Sequence, residues 1–170
     1  MKTLIDEAAL QARVKEVAAD IRRDAGDEPI LLLGVLKGAF MFMADLMRSI
    51  GGDVTCDFIS VSSYVGTTSS GEVQIRKDVD SPLEGRRVII VEDIVDTGLT
   101  LHYLQGILQK RKPATLKTAC LLSKPSRRKA PVPVDYIGFE IEDKFVVGYG
   151  LDFNERYRNL PYIGLVEGVS

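Results

Sequence analysis

The chain of 170 residues has no tryptophan, one histidine and two cysteines. With so few thiols a disulfide-stapled scaffold is excluded. Cys56 and Cys120 each sit in an apolar run and are read as buried core residues of a reducing, cytoplasmic protein, not as a disulfide or metal pair. His102 has no Cys or His partner at metal-ligand spacing and is given no role. Long hydrophobic runs are missing too. The longest, Pro29 to Leu36, falls far short of the ~20 residues a membrane-spanning helix needs, so no membrane partner is expected. Lys2-Thr3-Leu4-Ile5 runs straight into Asp6-Glu7, which is not the start of a signal peptide. There is no excess of positive charge: 22 Lys and Arg face 24 Asp and Glu, for a formal net charge of −2. A protein that works by neutralising nucleic-acid phosphates is far more basic, and no nucleic-acid partner is expected. No G-x-x-x-x-G-K-[ST] loop occurs, which excludes a P-loop kinase.

What is present is an ordinary globular composition, 45% hydrophobic and 27% charged, with no internal repeat and no linker. A single domain over residues 1–170 follows, at roughly 100–200 residues per domain. Leu10, Val14, Val17 and Ile21 form one helical face between a capping Asp6 and a stop at Gly26. Pro29 to Val35 reads as a strand buried on both sides, as in parallel sheets. Gly38 to Ile50 is a helix whose Phe40, Met41, Met43 and Met47 read as core filler. Strands are expected at Val54 to Ser62, Val73 to Arg76, Arg87 to Val91, Thr115 to Leu122 and Val134 to Ile141, with a helix from Gly98 to about Lys110. Residues 63–72 are small and polar and read as a mobile loop at the tip of a two-stranded arm. The alternation of strands and helices predicts an α/β fold with a mainly parallel, twisted sheet flanked by helices.

The most informative run is Val88 to Leu101. An apolar strand leads into Glu92-Asp93, and a third acid, Asp96, opens a Thr97-Gly98-Leu99-Thr100 turn before a helix. Ligands of open α/β sheets collect beyond the carboxyl ends of strands. Free backbone N–H groups and two hydroxyls at a helix N-terminus make a phosphate site. A helix cap accounts for one of these acids but not for three clustered with two threonines.

This run resembles the phosphoribosyl-diphosphate signature of type I phosphoribosyltransferases. Gly34-Val35-Leu36-Lys37-Gly38, Ser63-Tyr64, Ser123-Lys124 and the segment from Glu142 to Asp152 follow in the order found in the hypoxanthine-guanine branch, so the resemblance covers essentially the whole chain. It implies the type I fold, with a small hood over about 144–170 and a flexible two-stranded lid arm whose loop spans about 63–72. It also implies transfer of a phosphoribosyl group from phosphoribosyl diphosphate to N9 of hypoxanthine or guanine, with Mg2+ as cofactor. Charge develops on the sugar and the leaving group, so catalysis should rest on electrostatic stabilisation.

By the same resemblance, Glu92 and Asp93 hold the ribose hydroxyls and organise the magnesium-bound donor, with Asp152 on a second magnesium. Asp96 acts as general acid and base beside N7. Thr97, Gly98, Leu99 and Thr100 cradle the 5′-phosphate; Leu99 stands where relatives carry varied residues, some of them donors, and adds none itself. Lys37 and Gly38, in a turn whose Leu36–Lys37 peptide is often cis in relatives, bind diphosphate with Ser63, Tyr64 and Arg158. Arg128 is a supporting candidate, with Arg127 the register alternative. Phe145 stacks on the purine, Lys124 donates to its 6-oxo group, and the main chain at Val146 and Asp152 reads the other base edge. The resemblance further implies a homodimer or homotetramer. Rival readings are an enzyme preferring xanthine or guanine, and a regulatory RNA-binding protein on the same fold. The slightly acidic charge and the presence of Asp96, Lys124 and Phe145 weigh against the latter.

Overall fold

A computed structural model of the chain describes residues 1–63 and 72–169, Ser63 by its backbone alone. The expectations for the loop at 63–72, Tyr64 included, therefore lie largely outside the described residues.

Helix α1 (Glu7–Ala25) begins where expected: Asp6 accepts a hydrogen bond from Ala9 N at 2.8 Å, and Gly26 ends the helix at φ 62°. Its apolar face, Leu10, Val14, Val17 and Ile21, is fully buried. The strands that follow are β2 (Ile30–Leu36), β3 (Val54–Ser63), β4 (Val73–Lys77), β5 (Arg87–Val95), β6 (Thr115–Ser123) and β7 (Tyr136–Glu140). They form one six-stranded sheet in the order β4-β3-β2-β5-β6-β7, parallel throughout except for β4, which pairs antiparallel with β3 as the expected arm. One core packs α1 and α2 (Phe40–Ile50) on one face, and the other packs α3 (Leu99–Gln109) on the opposite face. At Gly34, in the middle of β2, a Cβ would overlap the Met43 sulfur, so the missing side chain is what lets α2 sit down on the sheet.

Three short strands, β1 (Lys2–Ile5), β8 (Val146–Val147) and β9 (Ile163–Leu165), build a separate antiparallel sheet in the order β1-β9-β8, which caps the carboxyl edge as the hood. No described helix is long and apolar enough to cross a membrane.

Three expectations need correction. Cys120 is fully buried, its thiol pushed up to about 12 by burial, but Cys56 is exposed. It lies at the rim of the α2-covered face, beside Met47 and Phe58, where the helix no longer shields the strand. Phe40 is likewise on the outside of α2 at 38% exposure, whereas Met43 is buried. Finally, β5 does not stop at Val91 but continues through Glu92 and Asp93 to Val95, held by β6 through the pairs Glu92↔Cys120 and Ile94↔Leu122.

Candidate active site

The parallel strands β2, β5, β6 and β7 all end at one edge. That topology carries Lys37, the segment from Asp96 to Thr100, Lys124 and Asp143 to the same side of the sheet. Because β5 runs on, Glu92 and Asp93 belong to its last residues and point to opposite faces. Burial pushes the Glu92 carboxyl well up, and the neighbouring Asp93 charge adds to this. Burial also raises Asp93; a hydrogen bond from Ile94 N at 2.7 Å and the Arg158 charge oppose it, and the Asp152 charge reinforces it.

The turn after β2 is wedged against this pair. The Leu36–Lys37 peptide is cis. A Cβ on Gly38 would overlap the Asp93 carboxylate, and one on Gly150 would overlap the Gly38 carbonyl. Only glycines allow the Lys37-Gly38 backbone to lie between Asp93 and the turn over residues 148–151.

At the start of α3 the cap is Gly98, at φ 82°, not Asp96. Thr97 Oγ1 accepts from Leu99 N at 3.4 Å. A small cavity of about 170 Å³ lies here, bounded by Glu92, Asp96, Thr97, Gly98 and Thr100. A helix N-terminus beside hydroxyls suits an anion of phosphate size.

Next to it is a larger cavity of about 640 Å³, lined by Asp96, Lys124, Arg127, Asp143 and Phe145 with hood residues such as Leu165 and Val166. Lys124 is 8% exposed, and its ammonium lies 3.5 Å from the Asp143 carboxylate. Arg127 Nε donates to Asp96 Oδ1 at 2.8 Å, and its NH1 lies 3.6 Å from Asp143. Two acids and two cations thus alternate around one wall. Phe145 is held edge-on by Phe153, with ring centroids 5.5 Å apart at 80°. Arg128 faces away from this cavity: its guanidinium donates to the carbonyls of Val95 and Asp96 at 2.9 Å and to Ser123 Oγ at 2.8 Å. Of the two arginines left open by sequence, Arg127 touches the Asp96 carboxylate while Arg128 ties the backbone of the loop together.

The far end of the site is formed by the turn after Asp152. Asp152 Oδ2 accepts from Glu155 N at 2.8 Å, and Arg158 NH1 donates to the Gly150 carbonyl at 2.6 Å. Glu155 bridges Lys37, at 3.2 Å, and Arg158, at 3.2 and 3.3 Å. Asp143 and Glu155 are the residues that sequence reasoning left without an assigned part, and Arg127 entered it only as the register alternative to Arg128; adjacency in the motif segment pointed at Asp143, while nothing in the sequence pointed at Glu155.

Among the described residues no group of three or more His, Cys, Asp and Glu side chains could hold a metal unaided. Glu92 and Asp93 nonetheless supply hard oxygen donors on successive residues, one on each face of the strand end, and the Asp152 charge is felt at Asp93. A few carboxylates completed by water and substrate oxygens are the donor set Mg2+ uses.

A family model described as a phosphoribosyl transferase domain matches residues 2–154. A hypoxanthine-guanine phosphoribosyltransferase of Bacillus subtilis is 52% identical over 167 residues, covering 98% of this chain and 93% of that protein. A hypoxanthine phosphoribosyltransferase of Haemophilus influenzae is 48% identical over 167 residues, covering 96% of this chain and 93% of that protein. The crystal structure of a hypoxanthine-guanine phosphoribosyltransferase from Bacillus anthracis superposes with a TM-score of 0.95 at 51% identity, covering 98% of each chain. With a parallel sheet whose carboxyl edge gathers these acids and cations, and with such relatives over nearly its full length, the chain is an enzyme of the phosphoribosyltransferase family, in its hypoxanthine-guanine branch.

Proposed function

We propose that the enzyme transfers the phosphoribosyl group of phosphoribosyl diphosphate to N9 of hypoxanthine or guanine, giving the nucleoside monophosphate and diphosphate. The observation that carries this reading is the buried Lys124 ammonium on the wall of a cavity that also holds Asp96 and the Phe145 ring. An ammonium has donors only, so it pairs with the 6-oxo group of a 6-oxopurine and repels the 6-amino group of adenine.

Phe145 supplies the face on which the purine stacks, and the main chain at Val146 and Asp152 reads its other edge. Thr97, Gly98, Leu99 and Thr100 take the 5′-phosphate through amides and hydroxyls. Glu92 and Asp93 hold the ribose hydroxyls, and Lys37, Gly38 and Arg158 take the diphosphate. The parts of Ser63 and Tyr64 rest on the family resemblance alone. Glu92, Asp93 and Asp152 would hold Mg2+, which neutralises the charge of the diphosphate when bound. As N9 closes on the anomeric carbon and diphosphate leaves, the purine N7 proton becomes acidic. The Asp96 carboxylate accepts it after exchanging its Arg127 partner for the base.

The test is nucleotide formation from hypoxanthine, guanine, xanthine and adenine with phosphoribosyl diphosphate and Mg2+. Turnover of hypoxanthine and guanine well above adenine is expected; a preference for adenine would overturn the reading. Gly38→Ala should raise the KM for phosphoribosyl diphosphate about tenfold, because the methyl group must displace either the Asp93 carboxylate or the loop. Steady-state kinetics at saturating hypoxanthine checks this.

The enzyme acts in the cytoplasm on this reading, and as a homodimer or homotetramer. The exposed Phe40 beside Met47 and Phe58 on the open side of α2 supports self-association. Light scattering in solution should return two or four chains per particle.

A further inference from the structure

The turn that follows Asp152 has an unusual residue at its tip. Phe153 and Arg156 exchange two backbone hydrogen bonds, each of 3.0 Å, across Asn154 and Glu155. Both central residues are left-handed, with φ 52° and 65°. Such turns favour Asn followed by Gly. Asn154 conforms and Glu155 does not; a non-glycine residue at positive φ is uncommon, and a glutamate lacks the short side chain with which Asn or Asp bonds its own backbone there. What it gains is an unusual position. Its carboxylate lies between Lys37, across the site on the turn after β2, and Arg158, contacting both at 3.2 Å. Those two cations hold the carboxyl of Glu155 below its ordinary value. Arg158 has a second mark of incompleteness: its Nε is buried with no hydrogen-bond partner among the described residues.

We infer that Glu155 is an internal counter-anion that occupies the place of diphosphate between Lys37 and Arg158 in the free enzyme and sets how tightly diphosphate is held. The inference rests on the reading that Lys37 and Arg158 bind diphosphate. When diphosphate enters, its oxygens take over both cations and supply an acceptor for the Arg158 Nε, and the Glu155 carboxylate swings into solvent. Glu155 is 62% exposed in its side chain, so this exchange needs no rearrangement of the core. Competition of this kind weakens binding of the donor and of the product alike, and so favours release of diphosphate after transfer. Glu155 is thus a positioning residue, acting through the two cations and touching no reacting atom.

The experiment is calorimetric titration of the full-length enzyme with magnesium diphosphate, alongside steady-state kinetics. Glu155→Gln should bind magnesium diphosphate about 3–10-fold more tightly, the scale of releasing one exposed and one half-exposed ion pair, and the gain should shrink at high salt. The KM for phosphoribosyl diphosphate should fall in parallel and product inhibition by diphosphate should strengthen, with KM for hypoxanthine unmoved. Glu155→Gly should tighten diphosphate equally while raising the melting temperature, because glycine suits the turn. A melting temperature that falls in both variants with diphosphate affinity unchanged or weaker would overturn the inference, leaving Glu155 a structural or metal-supporting residue. Lys37→Ala and Arg158→Ala separate the two readings. If each weakens magnesium diphosphate while Glu155→Gln does not tighten it, the counter-anion alone is wrong. If neither weakens it, the diphosphate site itself is misplaced and the counter-anion falls with it.

Discussion

Asp96→Asn is expected to lower kcat by about 10²–10⁴-fold while leaving nucleotide affinity within a few-fold of wild type. The geometry makes this substitution selective. Asp96 is not the cap of α3, a place taken by Gly98, so the helix start does not depend on the carboxylate. Its backbone is held independently, through the Asp96 carbonyl and the Arg128 guanidinium at 2.9 Å. The side-chain oxygen that accepts from Arg127 Nε at 2.8 Å persists in asparagine, so the alternating wall of Asp96, Arg127, Asp143 and Lys124 stays connected. What asparagine removes is the ability to take the N7 proton as N9 bonds to the sugar. The loss should therefore appear in kcat and kcat/KM together, with the Kd for the nucleotide product preserved. Single-turnover kinetics with equilibrium binding of the nucleotide separates the two, and an Asp96→Asn enzyme within threefold of wild type in kcat would remove Asp96 from the chemistry.

Much of the sheet could be read from the sequence because its strongest signals are local. The face of α1 repeats at helical spacing, and the apolar runs of β2 and β5 are long enough to demand burial on both sides. The signal failed where tertiary context outweighed local preference. Carboxylates disfavour strands, so Arg87 to Val91 seemed to end before Glu92; pairing with β6 in the middle of the sheet carries the strand through both acids. β1 is only four residues long, mostly exposed, and pairs with β9 near the opposite end of the chain, a contact that no window of sequence contains. Cys56 sits in an apolar run, but the period-two alternation of β3 buries Asp57 and leaves Cys56 at the uncovered rim.

The site shows the same division. Glu92, Asp93, Asp96, Lys37 and Lys124 could be placed because each follows or ends a strand of a parallel sheet, where topology alone brings them to one edge. The partners that neutralise them could not. Arg127 and Arg128 are adjacent and chemically identical, and only the 3-10 turn at Pro125–Arg127 decides that one reaches a side chain and the other a backbone. Glu155 depends on a left-handed turn at a glutamate, which propensity argues against.

Base selection should change most when Lys124 is replaced. Lys124→Gln is expected to lower kcat/KM for hypoxanthine and guanine about 10–100-fold, the equivalent of the roughly 1.5–3 kcal/mol that a hydrogen bond to a charged group is worth. The reason lies in what surrounds the ammonium. It is almost wholly buried, and its carboxylate neighbour Asp143, at 3.5 Å, fixes it on the cavity wall. An ammonium held in this way can only donate, so it rewards a 6-oxo acceptor and leaves two donors facing each other when adenine enters. The glutamine amide can turn either its oxygen or its nitrogen toward the base. With the amide oxygen forward it accepts from the 6-amino group, so adenine should lose little or gain while the oxopurines lose, and the guanine-to-adenine ratio of kcat/KM should narrow at least about tenfold. Arg127 remains 3.6 Å from Asp143 in the variant, so the carboxylate is not left without a cation and the wall should hold its shape. Measuring kcat/KM for guanine and adenine on both enzymes decides it: an unchanged ratio would move the origin of base choice away from Lys124, to the main chain at Val146 and Asp152 on the opposite edge.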